Sequence, residues 1–163
     1  MMAEARRPGE FILEFANRGQ EVTTLLLRQF SSTQARDMAA HISIALATLT
    51  EAGHIVNKNS EYFKDNFQST FHGILTKTAE KYDIICAACD KVATWKRSES
   101  KDDALKPPKG LFDRLIWAFG MTRNQFNEFS RSLDECYKPA LILNYLVNLI
   151  VLQITGYQYV FHI

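Results

Sequence analysis

The residues whose type and spacing come closest to a chemical motif are Cys86 and Cys89, a C-x-x-C pair. A redox pair of this kind needs a thiolate, and a helix N-terminus or a neighbouring cation must lower its pKa. Here the pair falls deep inside a predicted helix, on its apolar stripe, so core packing is the better reading. Zinc would require two further ligands at suitable spacing. Cys136 and the scattered His41, His54, His72 and His162 supply no such pattern. Glu51, His54 and Lys58 share a helix face but no nucleophile accompanies them, which makes the face ordinary helix surface. No Gly-rich phosphate loop, G-x-S-x-G or H-E-x-x-H occurs. The sequence therefore assigns no catalytic, cofactor-binding or metal-ligating residue and no small-molecule substrate. The expectation is a protein that is not an enzyme; a polar pocket with convergent titratable groups would reopen the question.

Charge narrows the partners. Lys91, Lys96, Arg97, Lys101, Lys106, Lys109 and Arg114 make one region basic, diluted by Asp90, Glu99, Asp102, Asp103 and Asp113. A solvated loop accounts for them. The functional alternative is an anionic membrane surface, attracted at about 1 kcal/mol per uncompensated cation. The net charge of +1 gives no global case for nucleic acid. Three cysteines argue against a secreted disulfide framework. Arg6, Arg7 and Pro8 precede no apolar run long enough for a signal peptide. A cytoplasmic protein is expected, with recruitment to a membrane as the variant.

The elements that would position these residues are all helices; no convincing period-2 strand occurs. With 163 residues, 47% of them hydrophobic, one domain spanning 1–163 is expected, with 1–9 disordered. A first helix covers Phe11 to Phe30, with Gly19 as a possible bend. A capping box at Ser31–Gln34 opens a second, Ser32 to Asn57, striped by Ala39, Ile42, Leu46, Leu49, Gly53 and Val56. After a polar break, a third runs from Glu61 to Arg97 on Phe63, Phe67, Phe71, Ile74, Thr78, Tyr82, Ile85, Cys89 and Val92. Residues 98–109 form an internal loop. A short helix from Pro108 to Phe119 ends at Gly120, where a left-handed conformation is needed. Thr122 and Gln125 then form a second capping box.

The last helix changes character partway. Up to Lys138 it is amphipathic. After Lys138 no Asp, Glu, Lys or Arg appears. From Ala140 a second apolar line joins the first: Leu141, Tyr145, Leu149 and Leu152. A helix apolar nearly all round is buried on most sides or lies in lipid. Ala140 to Ile163 is long enough to span a bilayer, which needs roughly 20 residues. Asn144 and Asn148, one turn apart, give it a polar edge that suits a bundle helix instead. Pro139 marks the change and is the candidate kink or switch.

The order of these helices, with the block Leu115, Trp117, Phe119 before a Leu-rich helix, resembles the N-terminal helical domain of fungal STAND or NLR-like proteins. Such domains look like relatives of HeLo and HeLo-like cell-death bundles. The resemblance covers about Glu10 to Thr155. It implies a self-association or signalling module acting through protein partners, and no catalytic residues come with it. The sequence departs from the family at Pro139, where those helices continue, and no further domain follows within the 163 residues.

The expected fold is all-α, an up-and-down bundle of four to five helices with the third and last helices as its spine. Phe67, Phe71, Ile85, Cys89, Trp117, Leu133, Leu143 and Val147 are the expected core. The expected function is a non-enzymatic oligomerisation or signalling module. A HeLo-like membrane effector and a tail-anchored protein are the alternatives.

Overall fold

Among the described residues, helical spacing of apolar residues produces five continuous α-helices. In a computed structural model these are α1 (Pro8–Gln29), α2 (Thr33–Lys58), α3 (Asn66–Arg97), α4 (Leu111–Phe119) and α5 (Arg123–Ser132). A 3-10 turn, Ser60–Tyr62, lies between α2 and α3. The structure describes residues 8–63, 66–98 and 106–133, and beyond them 138, 141, 142, 145, 147–149 and 152; for 8, 62, 66–71 and 74 it describes the backbone alone. The described residues are all-α, with no strand among them.

α1 and α2 form the most extensive helix pair, and α1 packs next most extensively on α3. The sequence reading gave the spine to the third and last helices; much of the last helix lies outside the described residues, and among those described α1 and α2 pair most extensively. Small residues explain how closely these two approach. A Cβ on Gly9 would collide with the Gly53 carbonyl oxygen, and one on Gly53 would stand 2.8 Å from Leu13. Two helices approach this closely only where a side chain is missing. The Gly9 N–H donates to Asn57 Oδ1 at 2.8 Å, so the start of α1 lies at the end of α2 and the pair is antiparallel. Gly19 is buried rather than a bend. It lies inside the unbroken α1, and a Cβ there would stand 2.6 Å from Leu46 and 3.0 Å from the Tyr82 hydroxyl.

α3 runs parallel to α1. Phe11 stacks on His72 and Phe15 on Tyr82, with ring centroids 5.6 and 5.2 Å apart. At the other end the Lys96 ammonium donates to Gln29 Oε1 at 3.0 Å. α5 then descends beside α3. Lys91 donates to the Trp117 carbonyl at the end of α4, and Lys81 donates to the Ser132 carbonyl at the end of α5.

The helix ends depart from expectation in instructive ways. Ser32, not Ser31, caps α2, accepting from the Ala35 N–H at 3.1 Å. That shift puts Ala35 at the third helical position, so the reciprocal bond expected from Gln34 has no place. α3 starts at Asn66 because residues 60–62 wind as a 3-10 turn. α4 starts at Leu111 after Gly110, three residues later than Pro108 predicts. Gly120 does adopt the left-handed conformation, φ 64°. The Thr122 box is complete: its Oγ1 accepts from Gln125 N–H at 3.1 Å, and Gln125 Oε1 accepts from Thr122 N–H at 2.9 Å.

Of the expected core, Ile85, Cys89, Leu133 and Val147 are buried, together with Ile12, Leu26, Met38, Ile42, Leu49, Tyr82 and Phe126. Trp117 is a correction. It is half-buried at the rim, its ring covered by the Lys91 ammonium 4.5 Å from the centroid, while Leu115 and Ala118 take the inward positions. The side chains of Phe67 and Phe71, and all of Leu143 and Pro139, lie outside the described residues.

The glycines separate packing from propensity. Gly9→Ala forces α1 from α2 and is expected to lower stability by about 1–3 kcal/mol. Gly73, exposed within α3 with nothing within 4 Å of an added Cβ, predicts the opposite sign. Gly73→Ala should raise stability by about 0.5–1 kcal/mol. Denaturant midpoints of the two variants against the parent check both signs.

Candidate functional site

α3 places Cys86 and Cys89 one turn apart, against α1. Cys89 is buried, and burial, reinforced by the neighbouring Cys86, pushes its thiol up to about 12. Cys86 is half-buried. Burial raises its pKa as well, against the opposing pull of the Arg18 guanidinium, which bonds to it. Arg18 is itself paired with Asp83. Neither thiol is a ready thiolate, and the pair packs the α1–α3 seam. Beside it runs an open groove of about 580 Å³ lined by Leu25, Arg28, Gln29, Cys86, Asp90 and Arg97 among others. No nucleophile and base converge there. Among the described residues, no group of three His, Cys, Asp or Glu could hold a metal ion.

The basic residues do converge. α1 and α3 end side by side, so Arg28 joins Lys96 and Arg97. The short connection at 30–32 brings Arg36 of α2 to the same end. Phe30 lies 6.5 Å from Phe119 between ring centroids, which carries α4 and the start of α5 there too, with Arg114 and Arg123. Phe119 also meets Phe126 and Phe129, at 5.3 and 5.6 Å. Several of these cations have structural work. Arg28, Lys96 and Arg97 sit in last turns, where they complement the helix dipole. Arg123 is paired with Asp113 at 2.6 Å. Arg36 is different: it lies in the first turn and a half of α2, where the dipole disfavours a cation. Sequence alone found the α3–α4 part of this cluster. Arg28 and Arg36 are distant in sequence and only the antiparallel α1–α2 pairing brings them in.

The second feature is the charge-free end. Every described residue from 141 to 152 is helical. Leu141, Ile142, Tyr145, Leu149 and Leu152 are each at least 40% exposed, and Tyr145 reaches 65%. Val147 is fully buried. At about 100° per residue the five exposed side chains occupy an arc of about 100°, and Val147 points the opposite way. The sequence reading expected this second apolar line to be covered. Instead the helix buries one side and turns a continuous apolar face to solvent, with Lys138 exposed at its start. Ile142 belongs to that face and was not singled out by pattern. Asn148 was expected to be a polar edge. It is half-buried, with its side-chain oxygen out of solvent. Asn144 lies outside the described residues.

One described helix, α2, is long and apolar enough to cross a membrane, and half of its apolar window is buried inside the fold. No protein family, curated protein or solved structure matches this chain.

The two thiols supply a packing test. In a Cys136→Ser background, a thiol reagent near neutral pH should label Cys86 slowly, faster as pH rises, and leave Cys89 unlabelled until the chain unfolds. Because the folded Cys89 pKa is raised from 9.0, the stability it contributes is complete below pH 9 and is lost as pH climbs towards about 12. Peptide mapping of the labelled chain reads the selectivity. Rapid labelling of Cys89 in the folded protein would contradict its burial.

Proposed function

We propose that this chain is a non-enzymatic helical signalling or oligomerisation module of the kind found at the N-terminus of fungal STAND and NLR-like receptors. It works through helix-face contacts with protein partners. On this reading the described helices form an up-and-down bundle completed by the C-terminal helical residues. The observation that carries it is the exposed arc of Leu141, Ile142, Tyr145, Leu149 and Leu152, set opposite the buried Val147. A contiguous apolar face on a folded chain marks an interaction site. The groove beside the thiols lacks the convergent groups that catalysis would need.

A second reading, a HeLo-like membrane effector in the cytoplasm, has its own support. The end where α1 and α3 finish carries Arg28, Arg36, Lys96, Arg97 and Arg114 beyond what Asp37, Asp90 and Asp113 offset. Such a cluster is attracted to anionic lipid. A constitutive tail anchor is the third reading.

Vesicles separate them. Purified full-length chain should be monodisperse without detergent, and should neither float with nor leak vesicles of phosphatidylcholine, with or without phosphatidylserine. Leakage or flotation that requires phosphatidylserine and is lost on Arg36→Glu would replace the module reading with the membrane reading. Insolubility without detergent would point to the anchor.

A further inference from the structure

We propose that the groove between α1 and α3 is a site of S-glutathionylation, in which Cys86 exchanges with glutathione disulfide and keeps one glutathionyl group. The inference goes beyond the module reading and stands whatever covers the apolar arc. The groove sets a thiol beside charge. It is open, about 580 Å³ in volume, and lined by Cys86, Cys89, Asp90 and Arg97 of α3 and by Leu25 and Arg28 of α1. Cys86 is half-buried there, while Cys89, one turn on, is buried.

Unused charge selects the ligand. Arg18 is paired with Asp83, and Lys96 donates to Gln29. Among the described residues, Arg28, Asp90 and Arg97 have no hydrogen bond or ion pair, although all three line the same groove. A place in the last turn lets Arg28 and Arg97 balance a helix dipole but leaves their N–H donors unbonded. The groove therefore offers two guanidiniums and one carboxylate. Each half of glutathione disulfide carries two carboxylates and one ammonium, so the charges match in number and in sign. Guanidinium also binds carboxylate through paired N–H donors. An uncharged disulfide has no such match. Reach agrees with charge. Along α3, at 1.5 Å per residue, Asp90 stands about 6 Å and Arg97 about 16 Å from Cys86. An extended tripeptide covers about 10 Å, and the long arginine side chains cover the remainder.

The exchange balances without a further reagent. The Cys86 thiol gives its proton to water, and its thiolate sulfur attacks one sulfur of glutathione disulfide. The bond from Cys86 to the glutathionyl sulfur forms as the reagent's own S–S bond breaks. The electron pair leaves on a glutathione thiolate, which takes up a proton. Cys86 is oxidised and the released glutathione is reduced. Burial opposes the Cys86 thiolate, the bonded Arg18 guanidinium favours it, and Asp83 and Glu21 oppose it. Exchange is accordingly slow near neutral pH and speeds up as pH rises. The adduct then persists. Only a thiolate would displace the glutathionyl group, and burial keeps Cys89 protonated, its pKa pushed up to about 12.

Peptide mass mapping of the full chain tests this, in a Cys136→Ser background at low salt. Glutathione disulfide should place one glutathionyl group on Cys86 and none on Cys89. Hydroxyethyl disulfide, which is uncharged, serves as the reference reagent. Arg28→Gln combined with Arg97→Gln should slow glutathione transfer about fivefold, the loss of two exposed ion pairs. The reference reaction should not change, because Arg18, not these two, bonds the thiol. High salt should bring the parent's glutathione rate down to that of the double variant. If the double variant loses its helical circular dichroism, the single variants replace it, each about twofold slower than the parent. The proposal is overturned by the absence of an adduct on Cys86, by an adduct that forms equally fast without the two arginines, or by a Cys86–Cys89 disulfide in its place.

Discussion

The close approach of α1 to α2 is the constraint on which the other contacts rest. Gly9, Gly19 and Gly53 have no side chain where one would strike Gly53, Leu46 or Leu13. Ala16, Ala39, Ala45 and Ala52 are buried in the same two helices. With the two backbones this near, dispersion contacts are dense although the individual side chains are small. Aromatic rings pack instead between α1 and α3. Phe15 and Tyr82 stack there, and the Tyr82 hydroxyl reaches Gly19. A side chain at Gly19 would therefore disturb the fit of three helices at once.

That same pairing decides where charge collects. An antiparallel α1–α2 pair and a parallel α1–α3 pair bring the end of α1, the start of α2 and the end of α3 to one end of the fold. Cations that complement two helix C-termini thus become neighbours, and Arg36 joins them from a helix N-terminus. The basic end is a by-product of topology for most of its members. Arg36 is the member that helix electrostatics does not explain, which is why it discriminates between a solvated end and an anion-binding one.

Much of the helix pattern was legible in the sequence because it obeys local rules. The stripe of α2, the left-handed Gly120 and the Thr122–Gln125 box each depend on residues within a turn or two. What was misread depends on partners distant in sequence. Gly19 looked like a bend because its role is set by Leu46 and Tyr82. Trp117 looked like core because size predicts burial, but the nine-residue α4 turns Leu115 and Ala118 inward and leaves Trp117 half-buried beneath the Lys91 ammonium of α3. The Ser31 box failed by one residue: Ser31 has the glutamine three residues on that the pattern requires, but the chain geometry makes Ser32 the N-cap and puts Ala35 at the third helical position. For the site, the sequence located the apolar line of Leu141, Tyr145, Leu149 and Leu152, yet had no means of telling which side of that helix the fold would keep.

Leaving that line in water has an energetic meaning. Each square ångström of apolar surface left exposed forgoes roughly 25 cal/mol of burial. Five large side chains on one arc therefore withhold several kcal/mol of the order that folding as a whole retains. Scattered exposed residues such as Leu27 and Ile44 are ordinary. A contiguous arc is not, because a single inward rotation of the helix would have exchanged it for the face carrying Val147. The fold instead anchors Val147 and presents the arc. In a segment without charge to keep it dispersed, the stabilisation left unused is available only to whatever covers the arc.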